Sequence, residues 1–180
     1  MKRPAKTPAK APAKASKAAD LRKAFDRIFA QPPAAEAEAT ADYLGIRIGG
    51  MPYAVALTEI GAVFADRKIA PLPSASGDLL GVAGVRGDIV PVFGLGGLIG
   101  QGGGERPRWL VLAAGGRAGF AFDALDGHLR IPVAAIAPAA NPGGFIRANA
   151  VTADEARPIV SIASLMEHLD SRAGLRARSE

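Results

Sequence analysis

Residues 79–93, Leu-Leu-Gly-Val-Ala-Gly-Val-Arg-Gly-Asp-Ile-Val-Pro-Val-Phe, hold two short apolar runs joined by a tight Arg-Gly-Asp reversal. Val85, Ile89, Val90 and Val92 supply the β-branched bulk that favours strands, and Gly87 supplies the backbone freedom of a sharp turn. The same unit recurs along the chain. Tyr43–Ile48 alternates, Gly49-Gly50 turns, and Tyr53–Leu57 and Ile60–Phe64 follow. After the polar residues 65–68, residues 69–73 run extended, with Pro71 and Pro73. Residues 109–112 and 119–123 form a hairpin pattern around Gly115-Gly116. Residues 125–131, Ile136, 145–151 and 158–160 continue it. Many short strands at spacings of ~8–12 residues predict a mainly β fold, a small barrel or sandwich. Ser161 is placed to cap a final helix on which Ile162, Leu165, Met166 and Leu169 share one face.

The 180 residues suffice for one domain and a tail. Aromatic residues are only 6%, so the core must be aliphatic. There is no cysteine, which excludes disulfides, thiolate metal sites and cysteine nucleophiles. No apolar run approaches the ~18 residues of a membrane span, and no apolar stretch follows the basic start as in a secretory signal. The expected setting is cytoplasmic, without membrane insertion.

The net charge of +5 is unevenly placed. Lys2, Arg3, Lys6, Lys10, Lys14 and Lys17 carry six positive charges before the first acid. That leaves 16 basic against 17 acidic side chains, a net −1, for the rest. A nucleic-acid-binding fold would carry its basic patch on the domain, so no specific nucleic-acid partner is expected. Residues 1–18, rich in Ala, Lys and Pro, read as a disordered tail. In residues 19–31, Leu21, Phe25, Ile28 and Phe29 make one helical stripe, ended by Pro32-Pro33. So short a helix is marginal alone and needs a surface: its own domain, a partner that it docks to, or a membrane. Residues 32–41 read as a linker, 42–170 as the domain and 171–180 as a flexible end.

No constellation points to catalysis. Asp123 and Asp126 are near in sequence but have no evident pocket, and Asp123 fits a structural role at a strand end. Gly94-Leu95-Gly96-Gly97-Leu98-Ile99-Gly100 superficially matches a dinucleotide fingerprint. It lacks the third glycine at Ile99, and Gln-Gly-Gly-Gly cannot start the helix a phosphate would need, so a flexible connection is expected. His128 and His168 have no second ligand at metal spacing. Glu59 stands three residues from Ala62, an odd offset that on a regular strand points to the opposite face. No enzyme, metal or cofactor is expected.

The ordered series from Asp42 to Asp170 resembles the CheW family, adaptors of bacterial chemosensory arrays. There a Gly-Val-x-Asn-Leu-Arg-Gly-x-(Ile/Val)-x-Pro-Val-x-Asp-Leu-Arg stretch is typical. Shared features are the strand ending at Gly49, Tyr53, the Ile60/Val63 pair, Leu72-Pro73, Gly81-Val82 to Pro91-Val92, Gly119, Phe122-Asp123, Leu125, Leu129 and the closing hairpin and helix. The resemblance implies two intertwined five-stranded SH3-like β-barrels with a short C-terminal helix, and no enzyme activity or cofactor. It implies as partners the regulatory domain of a chemosensory histidine kinase and the cytoplasmic tip of a chemoreceptor, at membrane-associated arrays. By position, Ile60, Ala62 and Val63 fall on the kinase-binding strand, and Val82, Val85, Arg86 and Gly87 on the receptor and array turn. Exposed aliphatic patches are expected at 60–63 and 82–85. At three places the chain departs from the pattern: Ala62 replaces an acid, Gly84 an Asn, and Gly94-Leu95-Gly96 an Asp-Leu-Arg. An alternative role is a scaffold for protein positioning or non-chemotaxis signalling, targeted by the tail and helix.

Overall fold

The computed structural model describes residues 39–73, 77–102, 107–139, 144–152 and 155–177. The basic tail and the stripe Leu21, Phe25, Ile28 and Phe29 lie outside them. The architecture is mainly β. Strands β1 (Thr40–Ile48) and β2 (Met51–Ala56) are followed by a 3-10 turn (Leu57–Glu59), β3 (Ile60–Ala65), β4 (Leu79–Val85) and β5 (Asp88–Gly94). A one-turn helix α1 (Leu95–Leu98) leads to β6 (Trp109–Ala113), β7 (Gly119–Phe122) and β8 (Ala124–Pro132). A second 3-10 turn, β9 (Ile136–Pro138), β10 (Ile146–Val151), β11 (Ala156–Val160) and helix α2 (Ile162–Ala177) complete the described chain.

The strands form two sheets. One has six strands in the order β8-β1-β2-β11-β10-β9, and the other five in the order β3-β6-β7-β5-β4. The chain starts in the first, builds the whole of the second and returns to the first. The return is sealed by parallel pairing of Ile159 with Ala54 and Val160 with Val55. This is the intertwined arrangement expected, with the three-residue β9 as an additional edge strand. Its Pro138 suits an edge, where a missing donor costs no ladder bond. The long edge strand β8 turns His128 and Arg130 to solvent, which guards it against unwanted pairing.

Three apolar clusters hold the molecule. Tyr43, Ala54, Ile131, Ala150 and Ile159 fill the six-stranded sheet. Ala83, Val85, Val90, Val92, Leu110, Leu112 and Ala121 fill the five-stranded one. The largest cluster joins the two: Leu44, Ile46, Ile48, Tyr53 and Val55 from one side meet Val111, Phe120 and Phe122 from the other. Helix α2 buries Ile162 and Leu165 in this junction, with Met166 and Leu169 packed against it, so the anticipated helical face is the face used. α1 corrects the expectation of a flexible connection. Leu95 and Leu98 both enter the junction core and anchor the Gly-rich stretch. Among the described residues, no helix is long and apolar enough to cross a membrane.

Candidate functional site

The β4–β5 hairpin closes in two residues. Val85 pairs with Asp88, and Arg86 (φ 53°) and Gly87 (φ 96°) make the turn. Positive φ at both central positions is the type I′ geometry, whose twist matches that of the flanking strands. Glycine adopts it freely. For arginine the left-handed region costs ~1–2 kcal/mol, because Cβ crowds the following carbonyl. Arg86 is exposed and has no hydrogen-bond or ion-pair partner among the described residues. The fold therefore tolerates backbone strain to hold an unpaired guanidinium at a hairpin tip.

Strand alternation sorts the neighbours. Ala83, Val85, Val90 and Val92 point into the five-stranded sheet's core, and Val85 is only 3% exposed. Val85 is thus a support beneath the turn, and the expected aliphatic patch at 82–85 is reduced to half-buried Val82. The exposed apolar side chain is Ile89, at 77%. It stands opposite Gly84, where an added Cβ would meet nothing within 4 Å, so no cross-strand side chain covers it. The alternation Ile89-out, Val90-in was legible in the sequence, but the apolar run 89–93 masked it.

β4 is one edge of its sheet and β3 the other. A bulge at Gly61 separates the Ile60–Ala113 pair from the Ala62–Leu112 pair. In consequence Ile60 and Val63, three apart, both pack on the junction core, while Ala62 packs on the core of the five-stranded sheet. All three are half-buried, so the candidate kinase strand presents an edge and partial side chains in place of an exposed aliphatic patch. The two candidate sites are neighbours. One open cleft is lined by Gly61 of β3, by Val85, Arg86 and Asp88 of the hairpin, and by Gly115 and Gly116 of the β6–β7 turn.

Other singled-out residues have structural employment. The Asp123 carboxylate accepts the Gly49 N–H at 2.6 Å, fastening the end of β7 to the β1–β2 turn. Asp126 belongs to an ion network: its carboxylate takes Arg47 Nε at 2.9 Å and Arg157 Nη2 at 2.8 Å, and Arg157 also bonds Glu155. Burial raises the Asp126 pKa, but the two arginine hydrogen bonds outweigh it and hold the carboxyl below its ordinary value. His128 Nε2 lies 2.8 Å from Asp42 Oδ1, and His168 packs edge-on to Phe145. Beside α1, Asp78 and Asp123 line a depression with Gly96 and Gly97, and Asp78 is ion-paired there with Arg172 at 3.1 Å.

Glu59 has a role that its neighbours in sequence do not show. Its carboxylate accepts the Ile162 N–H at 2.5 Å and the Ala163 N–H at 3.2 Å, capping α2. It therefore does not face a partner in place of the acid missing at Ala62. The only local signal of a cap was Ser161, whose hydroxyl does take the Ser164 N–H at 3.2 Å.

Residues 42–170 match the family model described as the CheW-like domain. Among solved structures, the chain is similar to the scaffolding protein TtCheW from Thermoanaerobacter tengcongensis. Identity is 21% and the TM-score 0.60, over 68% of this chain and 89% of that one. Comparison with curated proteins finds no match. The family model spans most of the chain, and its limits take in all but the first two residues of the sheets, the junction core and the Arg86 hairpin; the chain belongs to the CheW-like domain family.

Proposed function

We propose that the protein is a non-enzymatic adaptor that couples chemoreceptors to a chemosensory histidine kinase, in chemotaxis or a related array-based pathway. Its place would be the cytoplasmic face of membrane-associated receptor arrays. The observation that carries this reading is Arg86, an exposed, unpaired cation held at φ 53° on a hairpin tip. Strain retained at an exposed position suits a recognition residue. Arginine is favoured at binding hot spots, because its planar fork bonds carboxylates bidentately. Ile89 beside it offers an apolar anchor. In this reading the Arg86 hairpin meets the receptor tip. The β3 edge, with Ile60 and Val63, meets the kinase regulatory domain.

The test is calorimetric titration of the full chain with a receptor-tip fragment and, separately, with the regulatory domain of each chemosensory kinase of the same organism. Arg86→Ala should weaken receptor binding at least tenfold and leave kinase binding unchanged. An unchanged receptor affinity in folded Arg86→Ala would refute the assignment of the turn.

A further inference from the structure

Glu59 stands where the two sheets and the last helix meet. It ends the 3-10 turn that joins β2 of one sheet to β3 of the other. Its main-chain carbonyl accepts the Ala114 N–H at 2.9 Å, just past β6. Its side chain crosses to α2, where Oε2 takes the N–H groups of Ile162 and Ala163 and Oε1 accepts the Ser161 hydroxyl at 3.2 Å. First-turn N–H groups have no partner inside their own helix, and the helix dipole favours a carboxylate there. The α2 cap is thus supplied in large part by a residue 102 positions upstream of Ser161.

The residue after Glu59 is Ile60, the first of β3. At the bulge the strand runs close against β6: a Cβ on Gly61 would lie 3.0 Å from the Ala113 carbonyl oxygen. Ile60 is thus one peptide away from the residue whose side chain holds the N-terminus of α2. With three donors on its carboxylate, Glu59 is occupied inside the molecule.

We propose that Glu59 is a positioning residue that ties the N-terminus of α2 to the start of β3 and so sets how Ile60 and Val63 are presented to the kinase. This rests on the reading of β3 as the kinase-facing strand. Loss of a helix cap changes a local equilibrium by roughly tenfold, and the kinase affinity of Glu59→Ala should fall by a similar factor. Glu59→Gln keeps an acceptor oxygen for the Ile162 N–H and should bind within about threefold of wild type.

The experiment compares these full-length variants by calorimetry against the same kinase regulatory domains. Amide exchange is followed at Ile162, Ala163 and residues 60–63. Ile60→Asp reports on the face itself, with Val63→Ser in reserve should Ile60→Asp unfold. The expected result is faster exchange at both α2 and β3 in Glu59→Ala, weaker binding, and rescue by Gln. If exchange quickens only in α2 and affinity holds, the coupling is refuted, while loss of binding in the face variant keeps the β3 reading. Equal losses of affinity in Gln and Ala, with exchange at α2 and β3 unchanged in both, would mean that the charge itself meets the kinase, which overturns a positioning role. A folded face variant that binds as wild type, or a wild-type chain that binds no kinase domain, overturns the β3 reading and the proposal with it.

Discussion

Leu165→Ala tests whether α2 is part of the core or an appendage to it. Leu165 has no exposed surface and sits in the junction cluster with Ile162, Val160 and Phe120. The change deletes three buried carbons, about 2.4 kcal/mol at about 0.8 kcal/mol each. The cavity left between two sheets that cannot both close on it adds to this, and core Leu→Ala changes span ~2–5 kcal/mol. We expect a loss of about 3 kcal/mol, a large part of the ~5–15 kcal/mol that holds a typical domain, and a drop in Tm of about 10 °C. Urea unfolding followed by the fluorescence of Trp109, the only tryptophan, is a suitable assay, with far-UV circular dichroism as second probe. Trp109 packs on the junction from β6, remote in sequence from α2. Both transitions should move together to lower urea with unchanged slope. A loss below about 1 kcal/mol, or a Trp109 transition that stays in place while helical signal fades, would refute the view that one core joins the sheets and the helix.

Gly81→Ala should destabilise the fold by at least ~2 kcal/mol in the same assay. Gly81 has φ 145°, and an added Cβ would lie 2.0 Å from the Ala70 oxygen, breaking the Ala70–Val82 bridge that covers the edge of β4; a near-wild-type midpoint would contradict this. Arg86→Gly should leave stability unchanged or raise it by up to ~1 kcal/mol, as relief of the left-handed strain is partly offset by unfolded-state entropy, while receptor binding falls. A clear loss of stability would show that the guanidinium braces the fold. Because folding depresses the Asp126 pKa, its ionised form stabilises the native state above the ordinary carboxylate range. That contribution is lost as pH falls below ~4, through the folded-state value. Asp126→Asn should therefore flatten the acid limb of a Tm-versus-pH curve, and an unchanged limb would exclude the network as a source of acid sensitivity.

The strands were legible because each is short, β-rich and bounded by glycine, proline or charge, and the α2 face was legible from Ile162, Leu165, Met166 and Leu169. Both are local patterns. Whatever depends on pairing across the chain was hidden. α1 read as a loose glycine run because its order comes from burial of Leu95 and Leu98 in a junction built by distant strands. The bulge at Gly61 breaks the alternation by which residues 60–63 would be sorted onto faces. The cap that Glu59 supplies had no local signal, since its partners, Ser161, Ile162 and Ala163, lie over a hundred residues away. At the Arg86 turn, residue types indicated the reversal, but only the backbone shows that arginine itself occupies the left-handed region.

The proposed function requires this chain to bridge two partners. It is tested most directly by co-sedimentation of a chemosensory kinase with receptor-containing vesicles, with and without the full chain. The account predicts that kinase pellets with receptor vesicles only when the chain is present, and that Arg86→Ala abolishes the bridge while leaving the chain–kinase complex in the supernatant. Kinase recruitment that is identical with and without the folded chain would contradict it.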